Sequence, residues 1–167
     1  MSRTTTNEAF GRLVDVLLTA CREEYGERLV SLAVFGSVGR GAAHPGSDLD
    51  FLLVADDLPR GRLRRMAQFS PVLADVEKWL AANWHDGRPP ELSPILKARE
   101  EALAGSPLFL DMTEDARILF DRDGFLGGCL ERLADRLREL GARRIVRGNA
   151  WWWDLKPDYK PGEVFSL

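Results

Sequence analysis

The stretch that decides the fold is Val34-Phe-Gly-Ser-Val-Gly-Arg-Gly-Ala-Ala-His-Pro-Gly-Ser-Asp-Leu-Asp-Phe-Leu-Leu-Val-Ala55. It opens at the end of an apolar, β-rich run, Leu29 to Phe35, of the kind buried in an α/β sheet, and Gly36 ends that run. A glycine there lets the chain turn tightly and approach a ligand closely, while Ser37 adds a hydroxyl and backbone donors beside a helix N-terminus. Such a turn suits phosphate oxygens. After ten intervening residues, a second apolar run, Leu49 to Ala55, is entered through Asp48 and carries Asp50. Residues two apart on a strand share a face, so both carboxylates project from the sheet edge toward the same loop. Two adjacent anions need a cation, and oxygen ligands at this spacing suit Mg²⁺, with water and substrate phosphates completing its shell. Loop-to-strand turn chemistry could explain Asp48, but an unpartnered carboxylate inside an apolar strand is costly, so Asp50 points to function.

Outward from this stretch, the pattern alternates helices and strands. Phe10, Leu13, Val14, Leu17, Leu18 and Cys21 recur at helical spacing and predict an amphipathic helix from about Thr6 to Glu27. Downstream, Met66, Phe69, Val72, Leu73, Val76 and Leu80 keep the same spacing, with Pro71 expected to kink or divide the helix. Glu91 to Lys97 reads as a strand in which Pro94 demands an edge position or a bulge. A polar helical stretch from Arg99, a turn at Gly105-Ser106-Pro107, a short helix and a brief strand at Arg117 to Phe120 follow. Phe125 to Leu140 is a helix ended by Gly141. The tail holds a hairpin signal at Gly148-Asn149 and then Trp151-Trp152-Trp153, of which Trp151 and Trp153 share one face; packing on the body is the preferred reading.

Composition bounds the rest. The chain has 167 residues, 45% hydrophobic and 29% charged, which suits one globular domain and excludes two large ones. A net charge of −3 is too balanced for non-specific nucleic-acid binding driven by total charge. Cys21 and Cys129 are too few and too far apart for a disulfide scaffold or a zinc ribbon, and both read as buried thiols in a reducing cytoplasm. A polar N-terminus and short apolar runs argue against secretion and membrane insertion. Arg60, Arg62, Arg64 and Arg65 read as a solvated helix start, with an anionic acceptor such as RNA as the functional alternative, and His44 reads as a plain loop residue.

Gly36-Ser37, ten residues, then Asp48-x-Asp50 resembles the signature of minimal nucleotidyltransferases of the DNA polymerase beta superfamily, and Arg40, Gly41 and Ser47 also sit where that family usually shows them. The likeness is dense over Leu29 to Ala55. It implies an α/β (α+β) fold, a small mixed β-sheet flanked by helices, with a nucleotidyltransferase domain over 1–122 and a C-terminal helix and Trp-rich tail, 123–167, packed on it. It implies a nucleoside triphosphate held by Gly36, Ser37, Arg40 and Ser47, taken as ATP for its abundance. Two Mg²⁺ ions on Asp48 and Asp50 would serve transfer of the nucleoside monophosphate to a protein, RNA or small-molecule acceptor. The family places a third carboxylate, usually Asp, on a later strand. Glu91 is the choice here, Ser93 the rival for the aligned position, and Asp111 and Asp115 are the fallbacks. Small chains with this signature also resemble antitoxins of two-gene toxin–antitoxin pairs, whose partner is a helical HEPN-type toxin. A nucleotide-binding module without turnover is the remaining alternative.

Overall fold

The computed structural model describes residues 3–85, 87–148 and 150–167. A long first helix, α1 (Arg3–Tyr25), leads through a short 3₁₀ turn into β1 (Leu29–Val34). The helical turn α2 (Gly36–Gly39) and a loop connect β1 to β2 (Leu49–Ala55). Then come α3 (Arg62–Asn83), β3 (Leu92–Ala98), α4 (Arg99–Leu103), α5 (Pro107–Asp115), β4 (Arg117–Asp121) and α6 (Phe125–Glu139). A separate hairpin, β5 (Arg143–Arg147) and β6 (Ala150–Asp154), follows. Its strands flank the anticipated turn, of which Gly148 is described and Asn149 lies outside the described residues.

The main sheet runs β3-β2-β1-β4 and is mixed, with β2 antiparallel to β1 and parallel to β3. Strand alternation assigns each face its helices. Leu49, Phe51, Leu53 and Ala55 pack with α1 and α3, as the apolar stripe of α1 predicts. Leu52 and Val54 turn the other way, against Phe109 and Met112 of α5 and Leu126 and Leu130 of α6. Asp50 shares the parity of Leu52 and Val54, so β2 directs it toward the layer that contains α5. This single register choice locates the candidate site.

β3 lies at the sheet edge, where Pro94 leaves no ladder donor missing inside the sheet. Pro71 does not divide the helix, and α3 runs as one element through it. Pro71 cannot donate to the carbonyl of Ala67 one turn back, but the Ser70 hydroxyl donates to that oxygen at 2.7 Å, and the ring itself is exposed. The freed carbonyl is therefore satisfied without a break. Cys21 is buried, and burial pushes its thiol up to about 12. Cys129 is only half-buried, on the α6 face that borders a surface cavity. Among the described residues, no helix is long and apolar enough to cross a membrane.

Asp121, the last residue of β4, ties α6 to the sheet. Its carboxylate accepts the N–H groups of Leu126 and Gly127 in the first turn of α6, both at 2.9 Å, and the hydroxyl of buried Ser31 on β1 at 2.6 Å. Asp121→Ala removes a helix cap and leaves a buried hydroxyl unpaired, so unfolding in urea should show a loss of about 2 kcal/mol. Asp121→Asn, which keeps one acceptor, should lose less. Equal stability of wild type and Asp121→Ala would refute this role.

Candidate active site

Gly36 begins α2 with φ +65°, a conformation that side chains disfavour. A β-carbon there would stand 2.6 Å from Oδ2 of Asp50. The turn after β1 is thus pressed directly against the carboxylate of β2, and the Phe35 N–H donates to the Asp50 carbonyl at 3.1 Å to hold it there. Gly39 is needed for a different reason. A β-carbon at Gly39 would meet the Asp115 carbonyl oxygen at 2.3 Å and that of Val34 at 2.9 Å, so α2 packs tightly between β1 and α5.

Ser37 and Ser47 join the two ends of the loop. The Ser37 hydroxyl lies 2.9 Å from the buried Ser47 hydroxyl, which also accepts the His44 N–H at 3.0 Å. Ser47 therefore stands behind Ser37 and shapes the turn from within. The His44 ring accepts the Gly46 N–H at 3.2 Å, a local loop contact.

Asp50 is half-buried, and its carboxyl is held above the usual range, first by burial and then by the charge of Asp48, with Arg40 opposing. A half-buried carboxylate with a second carboxylate's charge beside it is a donor set suited to a hard cation. Among the described residues, no group of three or more His, Cys, Asp or Glu side chains is placed to hold a metal. On β3, Ser93 is the register partner of Asp50. Glu91 stands just ahead of the strand, where its N–H donates to Asp48 Oδ1 at 3.3 Å and its carbonyl accepts the Leu49 N–H. The Glu91 side chain is 69% exposed, with Arg88 3.6 Å away.

Gly36, Ser37, Arg40 and Asp50 line one cavity of about 300 Å³, whose far wall is formed by Asp111 and Asp115 of α5 and Trp151 of β6. A larger, mostly apolar cavity of about 590 Å³ lies beside α4, α5 and α6 and contains none of the motif residues. The smaller one is the candidate site because the Gly36-Ser37 turn and the half-buried Asp50 meet in it. The two fallback carboxylates are already engaged. Asp111 accepts the indole N–H of both Trp151 and Trp153, at 3.0 and 2.9 Å, which confirms that these rings share a face. Asp115 is buried, bonded by Arg40 at 2.6 Å and by both terminal nitrogens of Arg144 at 3.0 Å. Burial works to raise its carboxyl, but the bonds from Arg144 and Arg40 outweigh burial and leave it lowered. Sequence reading did not single out Arg144. The available signal was Asp111 and Asp115 four apart on a short helix, opposite alternating tryptophans on a hairpin.

Of the basic cluster, Arg65 is tied to Glu101 by two bonds, at 2.6 and 3.0 Å, and to the carbonyls of Pro59 and Leu96. Arg60, Arg62 and Arg64 are exposed.

Gly36 and Gly41 provide a matched pair of substitutions. Both have positive φ, but a β-carbon at Gly41 meets nothing within 4 Å. Gly41→Ala should cost about 1 kcal/mol of stability from backbone strain alone and leave triphosphate affinity unchanged. Gly36→Ala adds the collision with Asp50, so calorimetry should show triphosphate binding lost. Equal affinities for the two variants would contradict the close approach as the critical feature.

The chain matches the family described as "Nucleotidyltransferase domain" over residues 14–119. It is 29% identical over 141 residues to the "Putative protein adenylyltransferase MJ1305" of Methanocaldococcus jannaschii, covering 83% of this chain and 90% of that one. Among solved structures, spectinomycin adenyltransferase AAD(9) from Enterococcus faecialis, with ATP and spectinomycin, aligns with a TM-score of 0.53 at 12% identity, over 77% of this chain and 66% of that one. A toxin-antitoxin crystal structure with AMP-PNP aligns at a TM-score of 0.45 and 16% identity, over 76% of this chain and 91% of that one. The family match spans the turn at Gly36, the Asp48-Asp50 pair and every strand up to β4, and by that match the chain belongs to the nucleotidyltransferase domain family.

Proposed function

We propose that this protein transfers AMP from ATP to a hydroxyl group of a protein acceptor, with release of pyrophosphate. The observation that carries this reading is the contact of Gly36 with the Asp50 carboxylate inside one cavity, which puts the Gly36-Ser37 turn, Arg40 and the Asp50 carboxylate around one space. The choice of AMP and of a protein acceptor leans on the named activity of the Methanocaldococcus relative.

Gly36 and Ser37 receive the phosphates, because N–H groups at the start of α2 have no carbonyl one turn back to bond, and the Ser37 hydroxyl adds a donor. Arg40, which also lines the cavity, supplies a guanidinium for the triphosphate charge. Ser47 contributes by fixing the Ser37 hydroxyl. Asp48 and Asp50 would hold divalent metal, two Mg²⁺ ions by this reading, and Glu91, whose backbone N–H bonds Asp48, would turn its exposed carboxylate from Arg88 to them as the third ligand. When bound, the metal neutralises charge on the entering and leaving oxygens. The acceptor oxygen forms a bond to the α-phosphorus while the bond to the pyrophosphate oxygen breaks, and Glu91 accepts the acceptor's proton. Residues 123–167 belong to the same working domain as 1–122, since the hairpin they contain supplies Trp151 to the cavity wall.

Asp48→Asn and Asp50→Asn should each abolish metal-dependent pyrophosphate release from ATP while leaving the melting temperature unchanged or raised, since each relieves anion repulsion. Glu91→Gln should slow transfer at least ~100-fold, as loss of a general base does, and Ser93→Ala should change it little. Full activity in Asp50→Asn would defeat the assignment. A wild type that binds ATP but releases no pyrophosphate with any protein acceptor would instead mark a binding module.

A further inference from the structure

The hairpin β5–β6 lies beyond residue 119, where the family match ends, yet it closes the candidate site. Its anchor is Arg144, whose side chain is 13% exposed. Arg144 reaches every carboxylate that the second half of α5 presents: Asp115 through both terminal nitrogens at 3.0 Å, Glu114 at 3.1 Å, and Asp111 at 3.8 Å from Nε. The Trp151 ring centre lies 4.9 Å from the Arg144 guanidinium and 5.8 Å from that of Arg40. Arg40 lines the cavity, whereas Arg144 stands behind Asp115 and does not.

The Asp115 carboxylate is buried and must be balanced locally. Arg144 balances it with a two-point fork, which leaves Arg40 bonded to Asp115 through Nη1 alone. Among the described residues nothing else bonds the Arg40 guanidinium, which leaves its remaining donors for a ligand in the cavity. Without Arg144, Arg40 is the other cation bonded to that buried charge, and its fork turns toward Asp115. The cavity would then lose its cation while Asp50 and Asp111 still line it.

We propose that Arg144 is a positioning residue for triphosphate binding: it holds Asp115 from behind and so keeps the Arg40 guanidinium directed at the nucleotide. This rests on the reading of the cavity as a nucleotide site. An exposed hairpin outside the matched domain thereby sets the affinity of the active site.

The test is calorimetric titration of the full chain with MgATP. Arg144→Gln should weaken binding about tenfold, the usual scale for one charge-assisted contact. Adding Asp115→Asn to that variant should restore affinity to within about threefold of wild type, because no buried charge is left to capture Arg40. A merely structural role for Arg144 predicts the reverse, since a second lesion in the same network would weaken binding further. Unchanged affinity in folded Arg144→Gln, or no recovery in the double variant, overturns the inference. If Arg144→Gln lacks a cooperative melt, Arg144→Lys decides the matter. It keeps the charge but not the two-point fork, so it should weaken binding several-fold, with Asp115→Asn restoring affinity to within about threefold of wild type; unchanged affinity in folded Arg144→Lys, or no recovery on adding Asp115→Asn, refutes the proposal. A wild type that does not bind MgATP overturns the nucleotide reading itself, whereas wild-type binding with none of these shifts overturns only the role of Arg144.

Discussion

The contact between the backbone of Gly36 and the carboxylate of Asp50 is the constraint around which the rest of the molecule is arranged. A gap too small for a methyl group separates them, so the turn after β1 and the entrance of β2 cannot move independently. Their placement follows from strand parity. The apolar residues of β2 that face α1 and α3 fix which way the strand is turned, and that choice sends Asp50 toward α5. Burial of the core and geometry of the site are therefore one decision. Substitutions that slip the β1–β2 register would move the carboxylate to the opposite face as surely as they would expose Leu52 and Val54.

The electrostatics of the site are divided between two carboxylate groups with different fates. Asp50 is held above the usual carboxylate range by burial and by the charge of Asp48, and among the described residues no guanidinium is hydrogen-bonded to either. Across the cavity, the carboxylates of α5 are satisfied within the protein by Arg40, Arg144 and two indole N–H groups. The first pair is left without an ionic partner among the described residues, and the second is a structural wall. Such a division keeps one polyanion site from being swamped by the total negative charge around it.

Much of the fold was legible because its signals were local. Two apolar runs separated by a glycine-rich loop predict strand, turn and strand, and the residues of that loop are where the chemistry converges. Pro94 announced an edge strand by the same local logic. Pro71 misled for a reason that is also local but finer: the hydroxyl of the preceding serine takes the bond that proline forfeits. The far wall was not legible. Contact between Arg144 and Asp115 spans 29 residues and depends on how α5 and the hairpin are carried by α6, which no periodicity encodes. Where the strand begins was also not legible: the ladder starts at Leu92, so the Glu91 backbone meets Asp48 and Ser93 is the register partner of Asp50, a one- or two-residue distinction below the resolution of pattern reading.

The most direct measurement is a crystal structure of the protein with Mg²⁺ and a non-hydrolysable ATP analogue. The phosphates are expected against Gly36 and Ser37, metal on Asp48 and Asp50, and the guanidinium of Arg40 turned to the triphosphate with Asp115 still held by Arg144. Nucleotide bound in the larger apolar cavity, or at the Gly36 turn with no metal on either aspartate, would contradict this placement.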